Sequence, residues 1–466
     1  MKYNYRPEID GLRAIAVISV ILYHAKIVID GNQLFSGGFI GVDIFFVISG
    51  YLITSIILRE LITTGNFSFK YFYERRIRRI LPALLSVILA ASIFAWIILM
   101  PSGLIDFSKS ALYSLGFSSN FYFHYSGQQY EAESGLLRPL LHTWSLSVEE
   151  QYYVLFPIVL LFIFKYFKKY LLHFFIFGFI VSLILADWGS RNHEMFNFYV
   201  LPTRGWELLA GSILAYLEIS KRKKKDVSKL NLILPVIGIF LIFYSIVFFD
   251  LNTMRHPSFY TLPPIIGVCF IIWFSKKDEL ITQILSSKIF VGIGLISYSL
   301  YLWHYPIFAF DRLINFSGES LVIKLLFVLL ITLISIMSYY LIEKPFRNKN
   351  YKFKKLFNIL VIITFIILTI NLFIVYKNGF KERYSNIYIK NNFFRDELSK
   401  QGWRFIKNSN FKTFKSSDKI KVLLIGDSHS RDFFNVFIQN KDLFKNYEFL
   451  RYGNHIKDAL RFDKNL

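Results

Sequence analysis

The first apolar stretch of this chain, Ile9 to His24, contains an arginine and a histidine, Arg13 and His24. An ionisable group within a membrane-length apolar run is costly, so it marks a functional site by default. The two residues lie eleven positions apart. On a helix that is about three turns at ~100° per residue, so both occupy one face. At ~1.5 Å per residue they are separated by roughly 16 Å along the axis. One helix face therefore offers a cation near one membrane surface and an imidazole much deeper. Imidazole is the usual general base near neutral pH. A negatively charged donor held by its phosphates at Arg13, with its reactive end near His24, suits that spacing. The plainer alternative is that Arg13 snorkels to a lipid headgroup and His24 is a hydrogen-bonded polar residue of a helix bundle.

Further stretches carry groups capable of chemistry. Phe39-Ile40-Gly41-Val42-Asp43-Ile44-Phe45-Phe46-Val47-Ile48-Ser49-Gly50-Tyr51-Leu52 places the carboxylate Asp43 at a depth close to His24. Asp43 either orients His24, shares its proton, or makes a structural hydrogen bond to a loop. His142-Thr143-Trp144-Ser145-Leu146-Ser147-Val148-Glu149-Glu150-Gln151-Tyr152-Tyr153 carries paired carboxylates. Adjacent helix positions point about 100° apart, so only one of Glu149 and Glu150 faces the interior. Ser297 to Pro306 contains His304 beside Trp303, where packing is the commoner role. Ile342 to Arg347 contains Glu343, and Arg75-Arg76-Ile77-Arg78-Arg79 forms a basic cluster. Near the C-terminus, Gly426-Asp427-Ser428-His429-Ser430 follows a strand-like run. A serine on a tight turn after a strand is exposed for attack, with backbone N–H groups nearby for an oxyanion.

The chain that must position these groups has 466 residues, 54% of them hydrophobic and 19% aromatic. Its mean hydropathy is +0.43. These values describe an integral membrane protein. Apolar stretches at about 10–30, 38–61, 80–100, 147–167, 170–187, 198–217, 231–250, 257–275, 288–311 and 321–343 predict ten core spans, and about 356–376 an eleventh. Basic residues fall in alternate connections: Arg59 to Arg79, Lys165 to Lys169, Lys221 to Lys225, Lys276-Lys277 and Lys344 to Lys355. The other connections hold single basic residues such as Lys109, Arg138, Arg191, Arg255 and Arg312. This positive-inside pattern predicts a cytoplasmic N-terminus and places residues 377–466 outside, in the periplasm of a two-membrane bacterium. It also accounts for the net charge of +22 without nucleic acid. The first helix reads as an uncleaved anchor. Cys269 is the only cysteine, which excludes a disulfide framework and a thiol metal site, and no metal is expected. Pro101 to Thr143 reads as a long external loop with interleaved aromatics and the acids Glu131 and Glu133, suited to capping a sugar. Residues 377–417 read as a linker. Lys419 to Gly426 reads as a buried strand opening an α/β unit.

Taken in order, these blocks resemble the acyltransferase 3 family of membrane O-acyltransferases. The arginine-x10-histidine helix, GVDIFFVISGYLI, RRIRRILPAL, HTWSLSVEEQYY, SYSLYLWHYP and IEKPF carry the resemblance from about Tyr5 to Arg347. The remainder resembles the subgroup with an eleventh span and a periplasmic SGNH-hydrolase-like domain, whose nucleophile block matches Ser428. The resemblance implies an all-α polytopic bundle over 1–350, an eleventh helix over 351–376, a linker over 377–417 and an incomplete α/β SGNH-like fragment over 418–466. It implies transfer of an acetyl group from cytoplasmic acetyl-CoA, a donor substrate rather than a resident cofactor, to a hydroxyl of an extracytoplasmic glycan. Lipopolysaccharide O-antigen is the preferred acceptor and peptidoglycan the alternative, with the chain in the inner membrane. It further implies His24 as catalytic base and Arg13 as donor-binding. Arg76 and Arg79 match the family's arginine-x-x-arginine motif, and Arg75 and Arg78 match it in an overlapping register. Guanidinium forks suit phosphate. Glu343 would line the pore. The subgroup's later aspartate-x-x-histidine block is absent: Tyr452 stands where its aspartate belongs, before His455. The expectation is therefore a truncated SGNH half, completed in trans or a remnant. A proton-coupled transporter is the remaining alternative, although no internal repeat supports it.

Overall fold

The computed structural model describes residues 5–30, 32–128, 134–220, 229–315, 320–348, 350–384, 418–425, 433–434, 436–437 and 442–452. The chain falls into two compact units, Met1–Gly379 and Phe380–Leu466.

The first unit is built of helices and one short antiparallel hairpin. The helices are α1 (Pro7–Ala25), α2 (Gly41–Thr64), α3 (Phe69–Ile98), α4 (Pro101–Leu115), α5 (Ser119–Gly127), α6 (Thr143–Tyr166), α7 (Leu171–Asn192) and α8 (Glu194–Tyr199). They continue as α9 (Leu201–Ser220), α10 (Leu230–Phe248), α11 (Leu262–Phe274), α12 (Leu280–Leu285), α13 (Lys288–Ile314), α14 (Leu321–Ser338), α15 (Lys344–Arg347) and α16 (Phe353–Tyr376). The hairpin pairs β1 (Val28–Ile29) with β2 (Asn32–Gln33). A turn of π-helix, Tyr339–Glu343, joins α14 to α15.

Every apolar stretch marked out in the sequence contains a helix, the first running past α1 into β1. Among the described residues, seven helical stretches are long and apolar enough to cross a membrane. They are Gly38–Thr64, Phe69–Ile98, Thr143–Tyr166, Lys168–Asn192, Leu230–Phe248, Leu321–Arg347 and Phe353–Tyr376. Polarity sets three of the others apart. Helix α1 carries Glu8, Asp10 and Arg13, α9 carries Arg204, Glu207 and Glu218, and α13 carries Ser297, Ser299, Tyr301 and His304. Helix α11 has 13 residues. The polar helices form the interior, while α10, α14 and α16 turn Phe240, Val322 and Phe365 outward.

Two differences from the sequence reading move functional residues. Helix α3 begins at Phe69, ahead of the expected start near 80, because Ser68 caps it by accepting from the Tyr71 N–H at 3.4 Å. The arginine cluster therefore sits on helical turns rather than in a loop. Arg76 and Arg79 share one side there, and Arg75 and Arg78 the next. The expected loop from Pro101 to Thr143 contains α4 and α5. Proline in the first turn starts α4, and Ser118 and Ser119 open α5. Glu131 and Glu133 lie outside the described residues.

Glycine permits the closest helix contacts. A Cβ on Gly211 of α9 would meet the Val47 carbonyl oxygen of α2 at 2.0 Å. A Cβ on Gly294 of α13 would meet the Asp10 carbonyl oxygen of α1 at 2.0 Å. Without side chains there, the backbones of α1 and α13 approach closely, as small residues permit within membranes. At one end of α1, Arg6 donates to Tyr51 at 2.7 Å, Glu218 at 3.1 Å and the Ile272 carbonyl at 2.6 Å. It thereby ties α1 to α2, α9 and α11.

In the second unit, β3 (Ile420–Ile425) pairs in parallel with β4 (Tyr447–Tyr452), in register from Ile420 opposite Tyr447 to Ile425 opposite Tyr452. Strand β3 coincides with the strand read from the sequence. Ser428 and its flanking block lie outside the described residues.

Candidate active site

Two neighbouring spaces lie at the arginine end of the bundle. The outer is a vestibule of about 950 Å³ walled by Arg13, Arg59, Arg75, Arg78, Arg79 and Arg347, with Glu60, Glu74 and Glu218 among them. The inner is a slot of about 80 Å³. Arg13, Arg76 and Arg79 line it with Ser49, Glu149, Tyr153 and Tyr298, and Ser145 and Tyr301 also contribute. The two spaces meet at Arg13 and Arg79, which line both. A wide cationic mouth leading into a narrow slot suits a bulky anionic head carried on a thin chain.

The four arginines of the cluster have different environments. Arg78 is 5% exposed. It pairs with Glu74 at 2.9 Å and donates to the carbonyls of Tyr351 at 2.9 Å and Phe346 at 3.2 Å. Its guanidinium fastens the turn after α15, although the residue also stands in the vestibule wall. Arg75 lies 3.8 Å from Glu60 and is largely exposed. Arg76 sits over the Tyr153 ring at 5.2 Å and lines the slot with Arg79. The geometry thus separates the two overlapping registers: Arg76 and Arg79 face the slot. Arg13 contacts Asp10 at 3.2 Å.

Glu149 lines the slot and accepts from the Ser49 hydroxyl at 2.6 Å. Glu150 lies within electrostatic reach of Tyr73 and Arg76, and one of its oxygens is buried without a hydrogen-bond partner. Glu343 is fully buried, accepts from Ser299, and pairs with Arg347 at 2.5 Å. Its partner Arg347, rather than Glu343 itself, is a wall residue of the vestibule.

His24 lies beyond the slot, at the far end of α1, with Tyr301 between them. The Tyr301 hydroxyl is 2.6 Å from Ser145 Oγ and donates to the His142 carbonyl at 3.0 Å. The Tyr301 carbonyl is 2.7 Å from His304 Nδ1. His304 Nε2 is 3.2 Å from His24 Nδ1. The His142 ring lies 5.7 Å from that of His304 and stacks on Tyr305 at 5.4 Å. Arg312 belongs to α13 rather than to a loop. It donates to the His24 carbonyl and fixes the end of α1. His24 is half-buried, whereas His142 and His304 are buried.

Asp43 is placed elsewhere than the sequence reading expected. Its Oδ1 pairs with Arg204 at 2.7 Å and lies 3.6 Å from His256 Nε2. Arg204 also pairs with Glu207 at 3.0 Å and donates to the Phe198 carbonyl at 3.1 Å. Its guanidinium packs over the rings of Phe198 and Trp144 at 5.0 and 5.3 Å. All three charged side chains are at most 1% exposed. The physical reason is simple. The Arg204 guanidinium gives the buried Asp43 carboxylate a charged hydrogen-bond partner, so Asp43 turns toward α9 rather than toward His24.

The family model of the acyltransferase domain, Acyl_transf_3, matches residues 6–341. The chain belongs to the acyltransferase 3 family. It is 36% identical over 362 residues to the O-acetyltransferase OatA of Staphylococcus aureus strain NCTC 8325 / PS 47, an alignment covering 75% of this chain. The OatA of strain MRSA252 is similar to the same extent. The chain spans 58% of the length of these relatives. No solved structure matches it.

For this acyltransferase-family chain, sequence reasoning named Arg13, His24, the arginine cluster and Glu149. It passed over Ser49, Ser145, Tyr301, His142 and Arg204, and it gave His304 a packing role. The signal for several was present, since His142 opens the HTWSLSVEEQYY block and Tyr301 and His304 lie in SYSLYLWHYP. Arg204 carried no comparable flag.

Proposed function

We propose that the membrane unit transfers an acetyl group from acetyl-CoA to a hydroxyl of an extracytoplasmic glycan. The observation that carries this reading is the arginine-walled vestibule narrowing into a slot whose far wall, Tyr301 and Ser145, adjoins His304 and His24. The name of the relatives supports acetyl as the group and oxygen as the accepting atom. The basic residues around the vestibule favour a cytoplasmic mouth.

In this reading Arg13, Arg76 and Arg79 bind the donor phosphates through charge-assisted hydrogen bonds. Arg347, held by Glu343, adds positive charge to the mouth. The acyl-pantetheine chain threads the slot past Glu149 and Ser49. Movement of Tyr301 admits the thioester to His24. The neutral His24 ring takes the proton of the acceptor hydroxyl as its oxygen forms the new bond to the acyl carbon. The carbon–sulfur bond breaks, and CoA leaves as the thiol with the proton returned from His24. Asp43 acts through the fold, pairing with Arg204, which in turn pairs with Glu207. The acceptor is a sugar hydroxyl of lipopolysaccharide, with peptidoglycan as the second candidate.

The reading is tested by measuring acetyl-CoA binding to the detergent-purified chain by calorimetry, for wild type and Arg76→Ala/Arg79→Ala. Loss of binding in the double variant at unchanged melting temperature is expected. Equal binding by both proteins overturns the donor site. Acetyl transfer to lipopolysaccharide and to peptidoglycan fragments, offered separately, then identifies the acceptor.

A further inference from the structure

We infer that His304 is a positioning residue that sets the tautomer of His24, leaving the His24 Nε2 lone pair free to accept a proton. The inference deepens the proposed acyl transfer and rests on it.

The donors and acceptors along these residues fix where the protons sit. The Tyr301 carbonyl oxygen, 2.7 Å from His304 Nδ1, can only accept. The neutral His304 ring therefore carries its proton on Nδ1 and presents a lone pair at Nε2. That lone pair is 3.2 Å from His24 Nδ1. Two facing lone pairs would repel, so the neutral His24 ring carries its proton on Nδ1 and donates it. Its Nε2 is then the basic atom. This is how a second group usually selects the reactive nitrogen of a histidine.

The surroundings hold the arrangement in place. His304 is fully buried and its ring lies 5.2 Å from that of His24. The Tyr301 hydroxyl is anchored to Ser145 and to the His142 carbonyl, which fixes the residue whose carbonyl sets the chain of tautomers. Arg312 fixes the end of α1 through the His24 carbonyl. The contact joins residues 280 positions apart. The same two helices, α1 and α13, also approach closely at Gly294.

The test uses the full chain in nanodiscs with ¹⁵N-labelled histidine, His24 being assigned by the signal lost in His24→Ala. In wild type, neutral His24 is expected with its proton on Nδ1. In His304→Phe the two tautomers are expected to mix. The acetyl-transfer kcat should fall at least about tenfold, with KM for acetyl-CoA within about twofold. His304→Gln keeps an amide oxygen able to accept from His24. It should restore the tautomer and keep kcat within about threefold of wild type. A purely structural role for His304 would move neither the tautomer nor kcat apart from KM. Wild-type His24 protonated on Nε2, or full kcat in a folded His304→Phe, overturns the inference. The tautomer is read without substrate. A wild type that turns over no acetyl-CoA would therefore refute the acyl-transfer reading while the His24 spectrum still decides this one.

Discussion

Replacing Arg78 by alanine is expected to damage the fold rather than donor binding, although Arg78 matches the arginine-x-x-arginine pattern as well as Arg79 does. Arg78 makes two short charge-assisted hydrogen bonds, to Glu74 at 2.9 Å and to the Tyr351 carbonyl at 2.9 Å. Longer contacts reach Phe346 at 3.2 Å and Asn348 at 3.4 Å. At ~1.5–3 kcal/mol for each well-formed charged bond, the short pair sets the loss at about 3–6 kcal/mol. That matches the usual cost of removing one partner from a buried ion pair, and the longer contacts add little. The expected readout is a melting temperature lowered by roughly 5–10 °C in detergent. For the protein that remains folded, KM for acetyl-CoA should stay near wild type. Arg79→Ala is the control. It faces the slot, so its Tm should hold while KM rises by about tenfold or more, the equivalent of one lost phosphate contact. An Arg78→Ala protein that melts like wild type but has a greatly raised KM would refute the assignment and return the phosphate role to the other register.

Two further outcomes follow from the buried network and the barrier residue. Arg204→Met removes the cation between Asp43 and Glu207 and should destabilise the chain by about 3–5 kcal/mol, read as lost thermal stability; a variant as stable as wild type would show that the network is not what holds these helices. Tyr301→Phe removes the hydroxyl contacts to Ser145 and the His142 carbonyl. At ~1–2 kcal/mol, opening between slot and His24 should rise by roughly 5- to 30-fold and uncoupled acetyl-CoA hydrolysis with it. Hydrolysis unchanged from wild type would show that Tyr301 does not bar the route.

How much of this was legible in the sequence depended on the range of each interaction. Length and apolarity located the helices, because a membrane-length run needs no partner to be recognised. The arginine-to-histidine spacing marked two polar groups that the structure places on α1, Arg13 at the slot and His24 at the far end of the helix. Helices α4 and α5 went unseen because they are short and their polar residues imitate a loop. The arginine register was open because sequence spacing gives angles around α3 but not what stands opposite. Only the turn carrying Phe346 and Tyr351, more than 250 positions away, shows that Arg78 is already bonded. Asp43 and Arg204 meet across 161 positions, and His24 and His304 across 280. No local pattern encodes such pairs. His304 was read as packing because a lone histidine beside a tryptophan usually is; its partner was not visible from its own helix.

The central claim is that the slot behind the arginine cluster delivers a thioester to His24. The most direct test is acetyl-CoA turnover by the purified chain with a glycan acceptor, comparing wild type with His24→Ala at matched folding. The account predicts CoA release and acetyl-glycan formation by wild type, with loss of both, by about a hundredfold or more, in the variant. Turnover by a folded His24→Ala protein equal to that of wild type would contradict it.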